Sequence, residues 1–189
     1  LEAIVDARAG GAAPNIERLH TRRWARPGTA LCLLVDRSGS MTGRPLATGA
    51  VTAAAVALRS PADFSVVSFA RDAVVVKAQD RSRTVEVVVD AVLALRGYGT
   101  TNLAGALSAA GAQLARSSAT RRIAVLLSDC RSTEPGDVVH AASFLDELVI
   151  VAPAGDDEAA VELAAATDAV MTTVTGPSDA ANALARVLS

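Results

Sequence analysis

Oxygen-bearing side chains follow two apolar segments of this chain. Asp36 comes directly after the run ALCLLV, and Asp129 comes directly after RIAVLLS. Ser38 and Ser40 follow the first aspartate, with a glycine between them that allows a tight turn. Carboxylate and hydroxyl oxygens are the ligands that Mg²⁺, Mn²⁺ and Ca²⁺ prefer, and no cluster of His and Cys accompanies them that would favour zinc. The residue types therefore indicate a site for a hard divalent cation.

A third loop adds hydroxyl groups to this set. The segment GYGTTN, residues 97–102, contains two glycines that free the backbone and supplies Thr100 and Thr101. In sheets of parallel strands, ligands bind at the carboxyl ends of the strands, near the point where strand order reverses. If the strands before Asp36 and Asp129 are neighbours, both carboxylates lie at one edge. The same residue types also serve as turn and helix caps, so the DRSGS segment alone does not decide between a cap and a metal site.

The elements that must position these loops alternate along the chain. Apolar runs predict strands at 30–35, 64–69, 73–78, 122–128, 148–152 and 170–174. Helices are predicted at 45–59, 85–95, 102–116, 134–145, after the acidic residues 156–158, and at 177–188. The connection 70–72 is too short for anything but an antiparallel pair. The predicted fold is α/β: a doubly wound, Rossmann-like, mostly parallel six-stranded sheet with one antiparallel edge strand and helices on both faces.

Two of these helices carry more detailed expectations. The helix at 85–95 should place one apolar set on a single face: Val85, Val88, Val89, Val92 and Leu93. The start of the helix at 134–145 is marked by Thr133 and Pro135, since these are residue types that precede or open helices. His140 falls within that helix and is interpreted as a packing or surface residue.

Composition and charge narrow the classes of function. The 189 residues carry a net charge of -2, which argues against a general nucleic-acid binder. No run of eighteen or more apolar residues exists, so no membrane span is expected. Residues 1–28 contain a basic cluster around Trp24 and are interpreted as a lead-in or linker, with one domain at 29–189. The first residue is Leu1, and we interpret the chain as a piece of a longer protein.

The two cysteines favour a reducing compartment. Cys32 lies early in its predicted strand and Cys130 lies past the end of another, which separates them too far for a disulfide. Reduced thiols are typical of cytoplasmic proteins, and we predict a cytoplasmic location.

The three loops together resemble one known family. The segment 36–41, DRSGSM, resembles the DxSxS motif of von Willebrand factor A domains, and GTTNL at 99–103 resembles their second motif. The segment LLSD at 126–129 resembles the third motif, an aspartate at a strand end. All three occur in the family's order, over about residues 29–189. One departure is Cys130, followed by Arg131, where the family usually has glycine after the aspartate.

The resemblance implies a metal-ion-dependent adhesion site for Mg²⁺ or Mn²⁺. By position in the motifs, Ser38, Ser40 and Thr101 would ligate the ion directly, and Asp36 and Asp129 would bind it mostly through water. Thr100 is the alternative to Thr101, which is preferred because an asparagine follows it. A partner protein would supply an Asp or Glu carboxylate to the remaining position. Among relatives, the chain is most similar to bacterial domains that work with AAA+ ATPases of the MoxR or chelatase type.

The resulting hypothesis is a non-enzymatic, cation-dependent protein-binding module that couples such an ATPase to its client. One alternative is a Mg²⁺-dependent phosphoryl-transfer hydrolase that uses Asp36 as nucleophile. That chemistry usually needs a second aspartate where this chain has Ser38, and the only lysine is Lys77. A second alternative is an extracellular adhesion domain, against which the lack of disulfides and of a signal segment counts.

Overall fold

Six strands form one sheet in the computed structural model, which describes residues 28–39, 44–96 and 99–188, and their side chains except at 44–46. The strands are β1 (Thr29–Asp36), β2 (Phe64–Phe69), β3 (Ala73–Lys77), β4 (Arg121–Leu127), β5 (Glu147–Pro153) and β6 (Val170–Val174). The helices are α1 (Arg44–Arg59), α2 (Val85–Leu93), α3 (Leu103–Leu114), α4 (Val138–Ala142), α5 (Glu158–Thr167) and α6 (Pro177–Val187).

The strand order is β3-β2-β1-β4-β5-β6, and only the pair of β2 and β3 is antiparallel. This confirms the predicted six-stranded, mostly parallel sheet with one antiparallel edge strand. From β1 the chain first extends the sheet on one side through β2 and β3, and then crosses to the other side to form β4. Strand order therefore reverses between β1 and β4, which is where such folds leave a crevice for a ligand.

The two faces of the sheet bury two separate apolar cores. Odd-numbered residues of β1 and β4, such as Leu33 and Val125, pack with α1, α2 and α6. Even-numbered residues of the same strands, such as Leu34 and Leu126, pack with α3, α4 and α5. Because side chains alternate along a strand, the sheet is covered on both faces, which explains why these strands are apolar at every position.

Helix α3 brings the threonine loop to the carboxyl edge of the sheet. Its apolar residues recur at three- and four-residue spacings and face the even-numbered core; the buried ones are Leu103, Ala106, Leu107, Ala110 and Leu114. Asn102 caps its first turn, accepting a hydrogen bond from the backbone N–H of Gly105 at 2.9 Å. The backbone N–H of Asn102 donates to the carbonyl of Ala70 at 2.8 Å, so the cap is anchored to the β2–β3 hairpin.

Helix α4 is shorter than the sequence predicts. It spans Val138–Ala142 rather than 134–145, and Asp137 is its cap, not Thr133. The backbone N–H groups of Thr133 and Glu134 both donate to the carbonyl of Thr101, at 3.0 and 3.1 Å. These contacts with a distant loop hold residues 133–134 out of the helix, so the predicted start was wrong. His140 lies in α4 and is exposed, in agreement with a surface position.

Helix α2 confirms most of its predicted face. Val88 and Val92 are buried, and Val85 and Val89 are half-buried against the same core, but Leu93 is 51% exposed. Leu93 is the last residue of the helix. None of the helices in the described ranges has the length and apolar character needed to cross a membrane. The expected lead-in segment, including its basic cluster and Trp24, falls before residue 28 and lies outside the described residues.

Candidate metal centre

The reversal of strand order brings Asp36 next to the segment that contains Asp129. Val35 of β1 pairs with Leu127 of β4, so Asp36 is level with Ser128, the residue after β4. Both positions are even-numbered, and their side chains point to the face covered by α3. The expected proximity of the two strands is therefore confirmed.

Hydrogen bonds hold the Asp36 carboxylate in place. Its Oδ1 accepts from the backbone N–H of Ser38 at 2.8 Å, and its Oδ2 accepts from the hydroxyl of Ser128 at 2.5 Å. The Ser128 hydroxyl in turn accepts from the backbone N–H of Cys130 at 2.9 Å. Asp36, Ser128 and Asp129 are each at most 1% exposed. The carboxylate of Asp36 thus has a single defined orientation.

Two carboxylates lie together in this buried place. Burial is the largest cause that raises the pKa of Asp36; hydrogen bonds from Ser128 and Ser38 oppose it, and the negative charge of Asp129 raises it further. Two buried carboxylates that act on each other's charge are unfavourable unless a cation or protons compensate them. The donor chemistry therefore fits a divalent cation.

The third loop reaches the same edge through the segment after β4. The backbone N–H of Thr101 donates to the hydroxyl of Thr133 at 2.8 Å, and the hydroxyl of Ser132 donates to the carbonyl of Thr101 at 3.2 Å. Thr101 is 4% exposed, whereas Thr100 is exposed and its hydroxyl donates to Glu134 Oε1 at 2.6 Å. Thr101 is thus buried at this edge, whereas the hydroxyl of Thr100 is bound to Glu134. This favours Thr101 over Thr100 as the candidate ligand.

The sequence-predicted residues fall into two groups. Asp36, Ser38, Thr101 and Asp129 are all buried where the three loops meet. Ser40 lies outside the described residues, and its ligand role stays a prediction. Within the described ranges, no group of three or more His, Cys, Asp or Glu side chains could hold a metal. A metal here would therefore rely on hydroxyl groups as well as the two carboxylates.

Several residues that organise this centre were not singled out from the sequence. Ser128 orients Asp36, while Ser132 and Thr133 fasten the Thr101 loop to the end of β4. Ser128 had a detectable signal, since its even-numbered position directly after β4 puts it on the same face as Asp36 once the two strands are neighbours. The other two contacts join loops thirty or so positions apart and left no local signal.

Cys130 has a strained backbone for a residue with a side chain. Its φ of 63° lies in the left-handed region, which glycine adopts most easily. This geometry explains why the family that the chain resembles usually has glycine at the position. The side chain of Cys130 packs in the core that contains the even-numbered residues of β1 and β4, and it is 7% exposed. Burial, the largest cause, and the charges of Asp129 and Asp36 raise the pKa of its thiol to about 12.

The geometry is unfavourable for the phosphoryl-transfer alternative. Asp36 is 1% exposed, so a substrate has little access to its carboxylate oxygens. Lys77 donates to the carbonyl of Phe64, at the opposite end of β2 from this centre. The residues expected to bind a phosphate in such an enzyme are therefore not gathered here among the described residues.

Comparisons with known proteins agree on one architecture. The family model described as von Willebrand factor type A domain matches residues 31–134. One similar structure is proximal thread matrix protein 1 from the mussel byssus, with a zinc-occupied metal-ion-dependent adhesion site (MIDAS) motif. It is 15% identical with a TM-score of 0.69, and the match covers 86% of this chain and 48% of that one. A von Willebrand factor type A protein from Catenulispora acidiphila is 20% identical with a TM-score of 0.64, over 84% and 41%.

An aerotolerance-related membrane protein from Bacteroides fragilis is 15% identical with a TM-score of 0.68, over 85% of this chain and 98% of that one. At such identities the structural similarities establish the fold alone. The matched region spans less than half of the mussel and Catenulispora chains. No curated protein sequence gives a significant match.

Proposed function

This chain belongs to the von Willebrand factor type A domain family, and from that premise we propose that it binds a partner protein through a divalent cation held between β1, β4 and the start of α3. The family consists of metal-dependent protein-interaction modules. The observation that carries the proposal is that Asp36, Ser38, Asp129 and Thr101 are all buried at the edge where strand order reverses, with Thr101 joined to the segment after Asp129 by hydrogen bonds. Buried carboxylates and hydroxyls at one edge of the sheet are a suitable set of oxygen ligands for a hard cation. The packing of the apolar core does not require polar side chains at these positions.

The proposed role of each ligand follows from its position in the motifs of the family. Ser38, Ser40 and Thr101 would bind the ion directly as neutral hydroxyls, and Asp36 and Asp129 would hold its water molecules. Neutral ligands leave much of the ion's charge uncompensated, so the ion attracts an anion from outside. A partner protein would supply that anion as an Asp or Glu carboxylate.

We propose Mg²⁺ or Mn²⁺ as the ion, since every assigned donor is a hard oxygen. The mussel protein shows that a motif of this kind can hold zinc, so zinc is the competitor to test. Calorimetric titration of the metal-free domain with each of the three ions gives the order of affinity. Most sites bind zinc more tightly than Mn²⁺, as the Irving–Williams order describes. A preference for zinc that exceeds this general one would contradict the assignment.

The central experiment compares a site serine with a matched surface serine. Ser38→Ala should abolish the heat of Mg²⁺ or Mn²⁺ binding, because it removes a direct ligand. Ser108→Ala should leave it unchanged: Ser108 is exposed on α3 and its hydroxyl only donates to the Ala104 carbonyl of its own helix. Equal heats from the wild type and Ser38→Ala would refute the metal site.

We further propose that the partner is an AAA+ ATPase of the MoxR or chelatase type, or the client of that ATPase, and that the encounter takes place in the cytoplasm. The support is the resemblance of the TALCLLVDRSGSM segment to domains of that group. Purification of the full-length protein from its own cells should retain an ATPase when Mg²⁺ is present and lose it in a chelator. Exposure of the full-length protein on the cell surface would instead support the adhesion alternative.

A further inference from the structure

A charged side chain stands beside the metal centre and has no role in it. Arg131 lies two residues after Asp129, and its backbone N–H donates to Asp129 Oδ1 at 3.1 Å. Its guanidinium forms an ion pair with Asp156 in the β5–α5 loop, at the same edge of the sheet. The side chain of Arg131 is 56% exposed. It is thus a solvent-facing cation whose backbone contacts Asp129, at the same edge of the sheet as the proposed binding position.

The backbone that carries Arg131 is firmly held on both sides. On one side, Cys130 is buried and its N–H donates to the hydroxyl of Ser128. On the other side, the hydroxyl of Ser132 donates to the carbonyl of Thr101. An arginine fixed at its backbone loses less freedom when it binds an anion than one on a mobile loop, so the position is suited to recognition.

From this arrangement we propose that Arg131 is a second anion-binding group, and that the partner presents two acidic side chains, one to the metal and one to Arg131. The proposal rests on the proposed function, since it assumes that a carboxylate reaches the metal. It assigns to the partner a specific chemistry, a pair of nearby carboxylates, rather than a single acidic residue.

The size of protein interfaces supports this assignment. A specific partner covers roughly 800 Å² of each surface, so a protein that ligates the metal must also cover the residue two positions after Asp129. Asp156 meets only one edge of the guanidinium, and donors that a partner covers without accepting from them are unfavourable. The planar guanidinium carries five N–H groups, and the contact with Asp156 is made by Nη2, so donors remain for a second carboxylate.

Asp156 acts in this scheme as an internal competitor. Exposed ion pairs shift an equilibrium by no more than about fivefold, so a partner carboxylate can displace or share this contact. Removal of the Asp156 carboxylate should therefore strengthen the contact between Arg131 and a partner carboxylate by up to about fivefold.

The test uses short peptides in saturating Mg²⁺, with binding followed by NMR chemical shifts of the whole domain. One probe, acetyl-Asp-Gly-Gly-amide, carries a single acidic side chain. The others carry two aspartates separated by zero to three glycines. At least one two-acid peptide should bind the wild type about three- to fivefold more tightly than the one-acid peptide, the upper range expected for an exposed ion pair.

Three variants separate the roles of the charged groups. Arg131→Gln should remove the advantage of the two-acid peptide and leave one-acid binding and the Mg²⁺ titration unchanged. Asp156→Asn should increase the advantage by up to about fivefold. Arg116→Gln is the matched control, because Arg116 forms a comparably exposed ion pair with Asp80, and it should have no effect.

The outcomes distinguish the two proposals. If no two-acid peptide has an advantage, or if the advantage survives Arg131→Gln, the role of Arg131 is refuted while the metal site stands. If even the one-acid peptide fails to bind in a Mg²⁺-dependent way, the proposed function is refuted, and the role of Arg131 falls with it.

Discussion

The hydroxyl of Ser128 offers the sharpest test of how this centre is held together. It donates to Asp36 Oδ2 at 2.5 Å and accepts from the N–H of Cys130 at 2.9 Å, in surroundings that are fully buried. Ser128→Ala removes both contacts at once. A hydrogen bond to a charged group contributes about 1.5–3 kcal/mol, and an unsatisfied buried amide costs about 1–3 kcal/mol. We expect the free energy of unfolding to fall by about 3 kcal/mol, near the lower end of the sum, because water can enter at the sheet edge and replace part of the loss.

The assay is urea unfolding at pH 7 in a chelator, so that metal binding does not enter the comparison. Ser108→Ala is the control, since its exposed hydroxyl bonds only within α3, and it should change the free energy of unfolding by less than about 0.5 kcal/mol. A decrease below about 1 kcal/mol for Ser128→Ala, with an unchanged slope in urea, would show that the Ser128 hydroxyl does not hold Asp36. The orientation of that carboxylate would then need another cause.

Three further predictions concern other parts of the fold. Burial raises the pKa of the thiols of Cys32 and Cys130 to about 12 each, so both should resist a thiol reagent at pH 8 in the native protein and react fully in urea; fast native reaction of either would contradict their burial. Asn102→Ala removes the cap of α3 and should lower the free energy of unfolding by about 1 kcal/mol, measured by urea unfolding, with Asn102→Asp retaining most of it. Hydrogen bonds, chiefly from Thr175, lower the pKa of the exposed Asp179, so its stabilising contribution is present above pH 3.8 and is lost as the pH falls through the lowered value. Asp179→Ala should therefore unfold at lower urea than the wild type at pH 7, and the difference should shrink below pH 3.8; a difference that does not depend on pH would contradict this.

The sequence by itself determined the elements and their kind. Short continuous apolar runs between turn residues are typical of strands covered on both faces, and the three-residue connection after Phe69 can join only antiparallel neighbours. The three motifs also predicted the loops of the proposed centre, because aspartates, serines and threonines at strand ends are local features of the chain. Four of the five predicted site residues are gathered at one edge; the fifth, Ser40, lies outside the described residues.

The tertiary structure decided everything that depends on contacts between distant segments. The late start of α4 follows from backbone N–H groups that bond to Thr101. The proposal of Thr101 rather than Thr100 as a ligand is supported by the burial of Thr101 and by the contact of Thr100 with Glu134. The orientation of Asp36 by Ser128 and the pairing of Arg131 with Asp156 join segments that are neighbours only in the folded sheet. The local sequence pattern indicates which face of an element a residue occupies. The residues that it contacts on that face depend on strand order and register, and no single segment of the chain encodes these.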